Sequence, residues 1–538
     1  MATVELNVTT AEKVGVSGAE ARAAAGGSRS AGRLTHKAYL NAFATLLDQA
    51  AKGVVMTLAT PLLVAGLGSS LYGVWQVLAR LVTYLQAADG RPTQALKWVI
   101  ANRREVDDDE TKRKHVGSAA GVWLLFLPFI LLMGAGLVWA APHLANVAPE
   151  MHATVRTAAA LLVCGFLLTQ LVLVPEAVLR GMNLGYKRMG LQAGLSVVGG
   201  ALTVGALYAG GGLVGMAAAE VVLVALTGAT FLWVVKKFVP WFGLARPALS
   251  EVRSFLKLSV WYFAWTFVHR FILASDVVIL GVVASGSAVA TYTLTTFAAM
   301  TLLGLVTTAI GGATPGLGGV VGLKQFEKAA AVRAEMMTLS WLLLAVAGST
   351  IIAWNRSFVY LWVGEEHYAG FWPNLLAVLM TVQLIFIRND SYVIDLTLQL
   401  REKVLTGAAS AVVSVALAVV LTQRYGITGL CLGMMAGRAV LTLAYPFVVN
   451  AQLGRPRVPR LAGALRPAAT MALMFAASAL LGRVALAGGW LVWAACATAT
   501  AAAALLVALF AGLSADARRS LFRRLELLRG LLAARGRV

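Results

Sequence analysis

The residues of this chain equipped for chemistry are ionisable side chains set inside long apolar stretches. Asp48 and Lys52 stand four apart, on one face of a helix. Arg80, Glu176 and Glu220 each interrupt an otherwise apolar run; further on come Arg270 with Asp276, Arg388 with Asp390, and Arg438. A charge near the middle of a bilayer costs several kcal/mol, so it faces either a partner or a polar cavity. For any single residue an internal ion pair, such as Asp48 with Lys52, is an equal reading. For the set, a cavity is expected. Lys52, Arg80, Arg270, Arg388 and Arg438 outnumber the acids at mid-depth, and a cationic cavity suits an anionic ligand, because the guanidinium fork matches phosphate oxygens.

Catalytic and metal motifs are missing from the sequence. There is no Gly-x-x-x-x-Gly-Lys-Ser/Thr loop, no His-Glu-x-x-His and no Gly-x-Ser-x-Gly. Of six histidines only His269, beside Arg270, falls within an apolar span. Cys164, Cys431 and Cys496 lie inside apolar segments without paired spacing, which predicts neither a disulfide framework nor a zinc site. The sequence therefore implies no cofactor, no metal and no enzyme.

These residues need elements to hold them. The chain is 59% hydrophobic and 13% charged, against roughly 25% charged in soluble domains; lipid-facing surface is the simplest account of the deficit. Fourteen apolar runs are long enough to cross a bilayer as helices, near 40–66, 70–88, 117–140, 155–179, 189–209, 211–235, 260–283, 289–312, 336–354, 371–392, 404–421, 426–448, 467–484 and 489–513. The expected fold class is an all-α polytopic membrane protein. The net charge of +21 is not a nucleic-acid signature, because the basic residues sit in short tracts between alternate spans and at the ends. Those tracts include Lys97, Lys112 to Lys114, Arg180, Lys187, Lys236, Lys237, Lys324, Arg333, Arg401 and Lys403, whereas the other side holds little beyond Arg156, Arg356, Arg424 and Arg483. The asymmetry and the even number of spans place both termini in the cytoplasm. Residues 1–36 are expected as a disordered cytoplasmic tail. In 514–538, Leu521, Phe522, Leu525, Leu528 and Leu532 recur at helical spacing among arginines, an amphipathic basic helix for the membrane surface.

An internal repeat organises the middle. Residues 67–75 (LGSSLYGVW) and 284–292 (ASGSAVATY) share small residues followed by a small–x–aromatic ending. Gly212-Leu213-Val214-Gly215 likewise matches Gly426-Ile427-Thr428-Gly429, 214 positions on. Both offsets map spans one to six onto seven to twelve in the same orientation, a parallel repeat. The domains expected are a six-helix bundle over 37–250, a second over 251–453, and two added helices over 454–513. Gly211-x-x-x-Gly215 and Gly429-x-x-x-Gly433 read as close helix packing.

Four pieces of sequence resemble the polysaccharide or O-antigen flippases of the multidrug/oligosaccharidyl-lipid/polysaccharide exporter superfamily. They are Leu67-Gly68 with Tyr72-Gly73-Val74-Trp75; Pro175 to Tyr186 with Arg180-Gly181 and Lys187-Arg188; Pro315 with the charged stretch 324–333; and 358–364 (FVYLWVG) with His367-Tyr368. The resemblance runs over about 40–451. It implies two six-helix bundles in a V around a central cavity, in a bacterial cytoplasmic membrane. It implies movement of an undecaprenyl-pyrophosphate-linked oligosaccharide between leaflets, with membrane lipids and a polysaccharide polymerase as partners. The basic residues would then hold the pyrophosphate, and Asp48, Glu176, Glu220 and Asp276 would couple transport to an ion gradient. Fourteen spans rather than twelve is also the count of lipid II flippases, so a cell-wall precursor stays open as cargo. Two other classes are weaker. A drug or cation antiporter would be expected to keep acids dominant in its cavity, and a glycosyl transferase needs a larger outer loop than 355–370, which offers only Glu365, Glu366 and His367.

Overall fold

The computed structural model describes residues 13–89, 92–103, 107–182, 184–247, 252–253, 256, 268, 275–311, 317–318, 320–321, 323–397, 400–454, 462–519 and 521–522, with side chains from 48 onward. Helices account for nearly all of it: α1 Lys13–Ala88, α2 Pro92–Arg103, α3 Asp109–Leu144, α4 His152–Gly181, α5 Tyr186–Ala206, α6 Gly212–Phe238, α7 over 275–283, α8 Gly286–Gly311, α9 Phe326–Val363, α10 Phe371–Thr397, α11 Leu400–Gln452, α12 Ala462–Val484 and α13 Trp490–Val507. Helix α1 begins at Lys13, within the segment 1–36 expected as a tail.

Among the described residues, ten stretches are long and apolar enough to cross a membrane. Three of these are too long for one crossing: 52 residues over Arg401–Gln452 would extend about 78 Å as a straight helix, against a hydrocarbon core of about 30 Å. Each folds back at a glycine. In α11 the turn is Gly426, and Ser410 donates to the carbonyl of Gly437 across the pair. The small residues expected to allow close packing do so here, since a Cβ on Gly433 would lie 2.5 Å from the Cα of Ala418. In α1 the turn is Gly68, and Tyr72 reaches the Thr60 side chain, twelve positions earlier. Helices α5 and α6 pair through Gly210–Gly212. The seventh expected span lies mostly outside the described residues.

The repeat is visible in the backbone. Gly212 has φ 51° and ψ −142°; Gly426, 214 positions on, has φ 56° and ψ −136°. This region is open almost only to glycine. The segments 67–75 and 284–292 not only correspond but touch, Gly73 lying against Gly286.

The helix ends define two faces. One carries the turns at Gly68, Gly212, Gly364 and Gly426 and is called here the glycine-turn face. The other carries Lys97, Lys112, Arg180, Lys187, Lys236, Lys324 and Arg401 and is the basic face. Apolar side chains with no protein cover, among them Leu132, Leu491 and Val484 at 73%, 88% and 88% exposure, form the lipid-facing surface. Toward the basic face the halves have separate cores. Leu96, Ile100, Val116, Val178 and Val235 belong to the first half, and Ile310, Leu344, Ile394, Leu441 and Tyr445 to the second. Toward the glycine-turn face one core joins them, with Val77, Leu81, Ala158 and Leu213 meeting Leu280, Tyr292, Met380 and Met434. Helices α12 and α13 pack on α9, where Trp341 donates to the carbonyl of Pro467 and Ser357 accepts from the Ala487 amide.

Candidate functional site at the seam between the halves

The second arm of α1 positions the site. Gly73, Val77, Arg80 and Tyr84 stand at helical spacings of four, three and four, so they form one stripe. That stripe faces the opposite half. Gly73 meets Gly286, Val77 fills the space beside Gly281, and the Tyr84 hydroxyl lies 3.3 Å from Ser275 Oγ. As α1 descends from the glycine-turn face, α7 rises antiparallel to it, and Arg80 lies on the seam between the second and third of these contacts.

Across the seam is a buried polar cluster. Tyr292 on α8 donates to Asp276 Oδ2 at 2.7 Å, and Asp276 Oδ1 accepts from the Val277 amide at 2.9 Å. Arg438, on the second arm of α11, is 1% exposed and lies within electrostatic reach of Asp276, Tyr292 and Cys431. Tyr84 feels both Asp276 and Arg80. The cluster thus joins four crossings and both halves. Three residues singled out in the sequence, Arg80, Asp276 and Arg438, converge there although up to 358 positions apart. Arg438 and Asp276 share a buried, low-dielectric interior, where a charge pair holds strongly and a lone charge is expensive. Arg80 differs: no acid pairs with it among the described residues. A guanidinium left without an acid partner on the seam is the property expected of a residue meant for an anionic ligand.

The other sequence candidates lie elsewhere. Asp48 and Lys52 form the i,i+4 pair read from the sequence, at 2.9 Å, with Lys52 half exposed. Glu176 pairs with Arg180 at 2.6 Å, at the basic end of α4. Nearby, on α2 and outside the spans, Lys97 has its pKa lowered by burial and then by Arg180, with Glu176 opposing the shift. Glu220 is half buried on α6, on the stripe of Leu213, Met216 and Ala217, with no ion pair described. Arg388 lies over the Tyr392 ring at 5.2 Å, one layer toward the basic face, and Asp390 beside it is bridged to Arg333 at 2.6 Å. Arg270 and His269 lie outside the described residues, as does the tail beyond Phe522.

Sequence reasoning missed Tyr84, Ser275 and Tyr292. A signal existed for two of them, since Tyr84 is one helical turn from Arg80, and Tyr292 closes the repeat segment that aligns it with Trp75. It also placed Lys403 in a cytoplasmic link, where the structure buries it completely against Asp395. The described residues contain no group of three or more His, Cys, Asp or Glu able to hold a metal.

Three comparisons bear on this architecture. A lipid II flippase in an inward closed conformation superposes with a TM-score of 0.66 at 11% identity, covering 91% of this chain and 100% of that one. A multidrug resistance MATE family transporter of the MOP superfamily, in its inward-facing conformation, gives a TM-score of 0.56 at 15% identity, covering 76% and 94%. Its outward-facing conformation gives 0.56 at 15%, covering 78% and 95%. At these identities the likeness is one of fold, that of the multidrug/oligosaccharidyl-lipid/polysaccharide exporters. No curated protein matches the chain. The family model described as polysaccharide biosynthesis protein matches residues 40–315, more than half of the chain and all of the seam contributed by α1, α7 and α8. With its apolar spans, its buried seam of charge and that match, the chain is a multi-pass membrane protein and belongs to the polysaccharide biosynthesis protein family.

Proposed function

We infer that this protein is a flippase for a lipid-linked oligosaccharide, moving undecaprenyl-pyrophosphate-linked sugar units from the cytoplasmic to the outer leaflet of a bacterial cytoplasmic membrane for surface polysaccharide assembly. The observation that carries the reading is Arg80, a cation without an acid partner among the described residues, placed on the seam between two halves that share a core on one face and have separate cores on the other. In this reading the basic face is cytoplasmic, as are both termini. The two bundles, 37–250 and 251–453, rock about the seam. The pyrophosphate binds Arg80 with help from Arg388, Lys52 and Arg270, while the polyprenyl chain stays in lipid. Asp276, with Arg438 and Tyr292, is favoured over Asp48, Glu176 and Glu220 as the coupling acid, because it alone of the four is held in the seam itself. A polysaccharide polymerase would take up the delivered units.

The test is leaflet distribution of lipid-linked oligosaccharide in cells lacking the protein. Build-up on the cytoplasmic face, reversed by the wild-type gene and not by Arg80→Ala expressed at equal level, supports the reading. Outward display in the absence of the protein and of any relative rejects it. A second reading, lipid II as cargo, is favoured by the cover of the lipid II flippase fold across 91% of this chain, where α12 and α13 extend beyond twelve crossings; the mass of the accumulated lipid separates the two.

A further inference from the structure

Helix α1 carries Pro61 inside its first arm. A proline has no backbone N–H, so the carbonyl four residues earlier loses its helical donor. That carbonyl belongs to Thr57. In this structure it accepts instead from the indole Nε1 of Trp362, at 2.7 Å, from the end of α9 in the opposite half and 305 positions away. The Trp362 ring is 7% exposed and is held by aromatic neighbours, with Phe297 at 4.6 Å and Phe358 at 5.1 Å between centroids. It forms one wall of a cleft of about 510 Å³ whose opposite wall is Pro61, Val64, Ala65, Gly68 and Ser69.

We propose that Trp362 is a positioning residue for transport: its N–H fills the carbonyl vacated by Pro61 and latches the two halves together on the glycine-turn face. The latch holds only while that face is closed. When the halves part there, the Thr57 carbonyl loses this protein donor, which opposes opening. Pro61 thus does more than bend α1. It frees an acceptor whose donor in this structure comes from across the seam, so the energy of closure is placed at the gate and not inside either half. The inference rests on the alternating-access reading above for its purpose, but its measurement does not depend on cargo.

The experiment places spin labels at Glu150→Cys and Gln423→Cys, both exposed on the glycine-turn face of opposite halves, in full-length protein with Cys164 and Cys496 replaced by alanine. Pulsed electron resonance then reads the distance distribution in liposomes. Trp362→Phe keeps the ring stack and removes only the donor. It is expected to raise the open-to-closed ratio about two- to tenfold, the net effect of one hydrogen bond. Pro61→Ala restores an amide that competes for Thr57 within the helix, and should shift the ratio in the same direction. The double variant should shift it no further than the larger single one, because both act on one hydrogen bond. An unchanged distribution in Trp362→Phe overturns the proposal, as does additivity of the two. Intact shifts with no effect of the protein on leaflet distribution would instead sink the flippase reading and leave the latch standing.

Discussion

Replacing Gly73 with alanine adds one methyl group at the tightest point of the seam. An ideal Cβ there would lie 1.7 Å from the carbonyl oxygen of Gly286, 2.4 Å from its carbon and 2.8 Å from its Cα. All three are backbone atoms, so no side chain can rotate away. Ordinary contact begins near 3.4 Å, so the two helices must part locally by up to about 1.7 Å, and a gap of even 0.5–1 Å forfeits a quarter to a half of the dispersion well. The neighbours on the stripe share the loss: Val77 withdraws from Gly281, and the 3.3 Å contact of Tyr84 with Ser275 lengthens beyond hydrogen bonding. Overpacking of this kind costs about 1–3 kcal/mol, which is roughly five- to 150-fold in a two-state ratio. The cost falls on the state in which the glycine-turn face is closed, because Gly73 and Gly286 belong to opposite halves and press on each other only while the halves meet there. Gly73→Ala should therefore fold, reach the membrane at normal level, and populate the open arrangement of the glycine-turn face. Label distances across the seam report the shift, and flipping in reconstituted vesicles should fall about tenfold or more. Wild-type flipping together with an unchanged distance distribution would refute the close approach of the two repeat segments and the closure argument built on it.

Other substitutions test separate parts of the account. Arg80→Ala should abolish flipping with little change in thermal stability, because no acid is stranded; a melting point lowered by many degrees would show Arg80 to be structural. Asp276→Asn removes the acid facing buried Arg438 and should destabilise by roughly 3 kcal/mol or more, and adding Arg438→Met should restore stability without restoring transport; recovery of both would remove the pair from the mechanism. Gly426→Ala and Gly212→Ala meet no neighbouring atom and differ from wild type only in backbone strain, so each should cost about 1–3 kcal/mol by thermal unfolding. A large difference between the two would contradict the equivalence of the two turns.

Much of this protein was written locally. The shortage of charge and the long apolar runs dictate membrane helices, because an apolar segment can satisfy its backbone in lipid only by coiling on itself. The basic tracts mark one face, and the recurrent Gly-x-x-Gly at 212 and 426 marks the internal repeat. The charged residues within spans were legible as functional candidates for the same reason, since a buried charge needs a purpose or a partner. Which of these it was could not be read. Hydropathy is a property of a segment, whereas the company of Arg80 depends on how segments 191 to 358 positions apart pack in space. Asp48 and Glu176 were read as candidate coupling acids, and each pairs with a base one turn away. Asp276 stood among the same candidates, and packing brings it to Tyr292 and within electrostatic reach of Arg438 at the seam. Trp362 carried no signal at all, because its role is defined by a carbonyl that Pro61 leaves open on the other half. Local chemistry determined that the chain spans the membrane and carries charge within it; only the tertiary structure decided which charges meet, which are cancelled, and where the two halves hold each other.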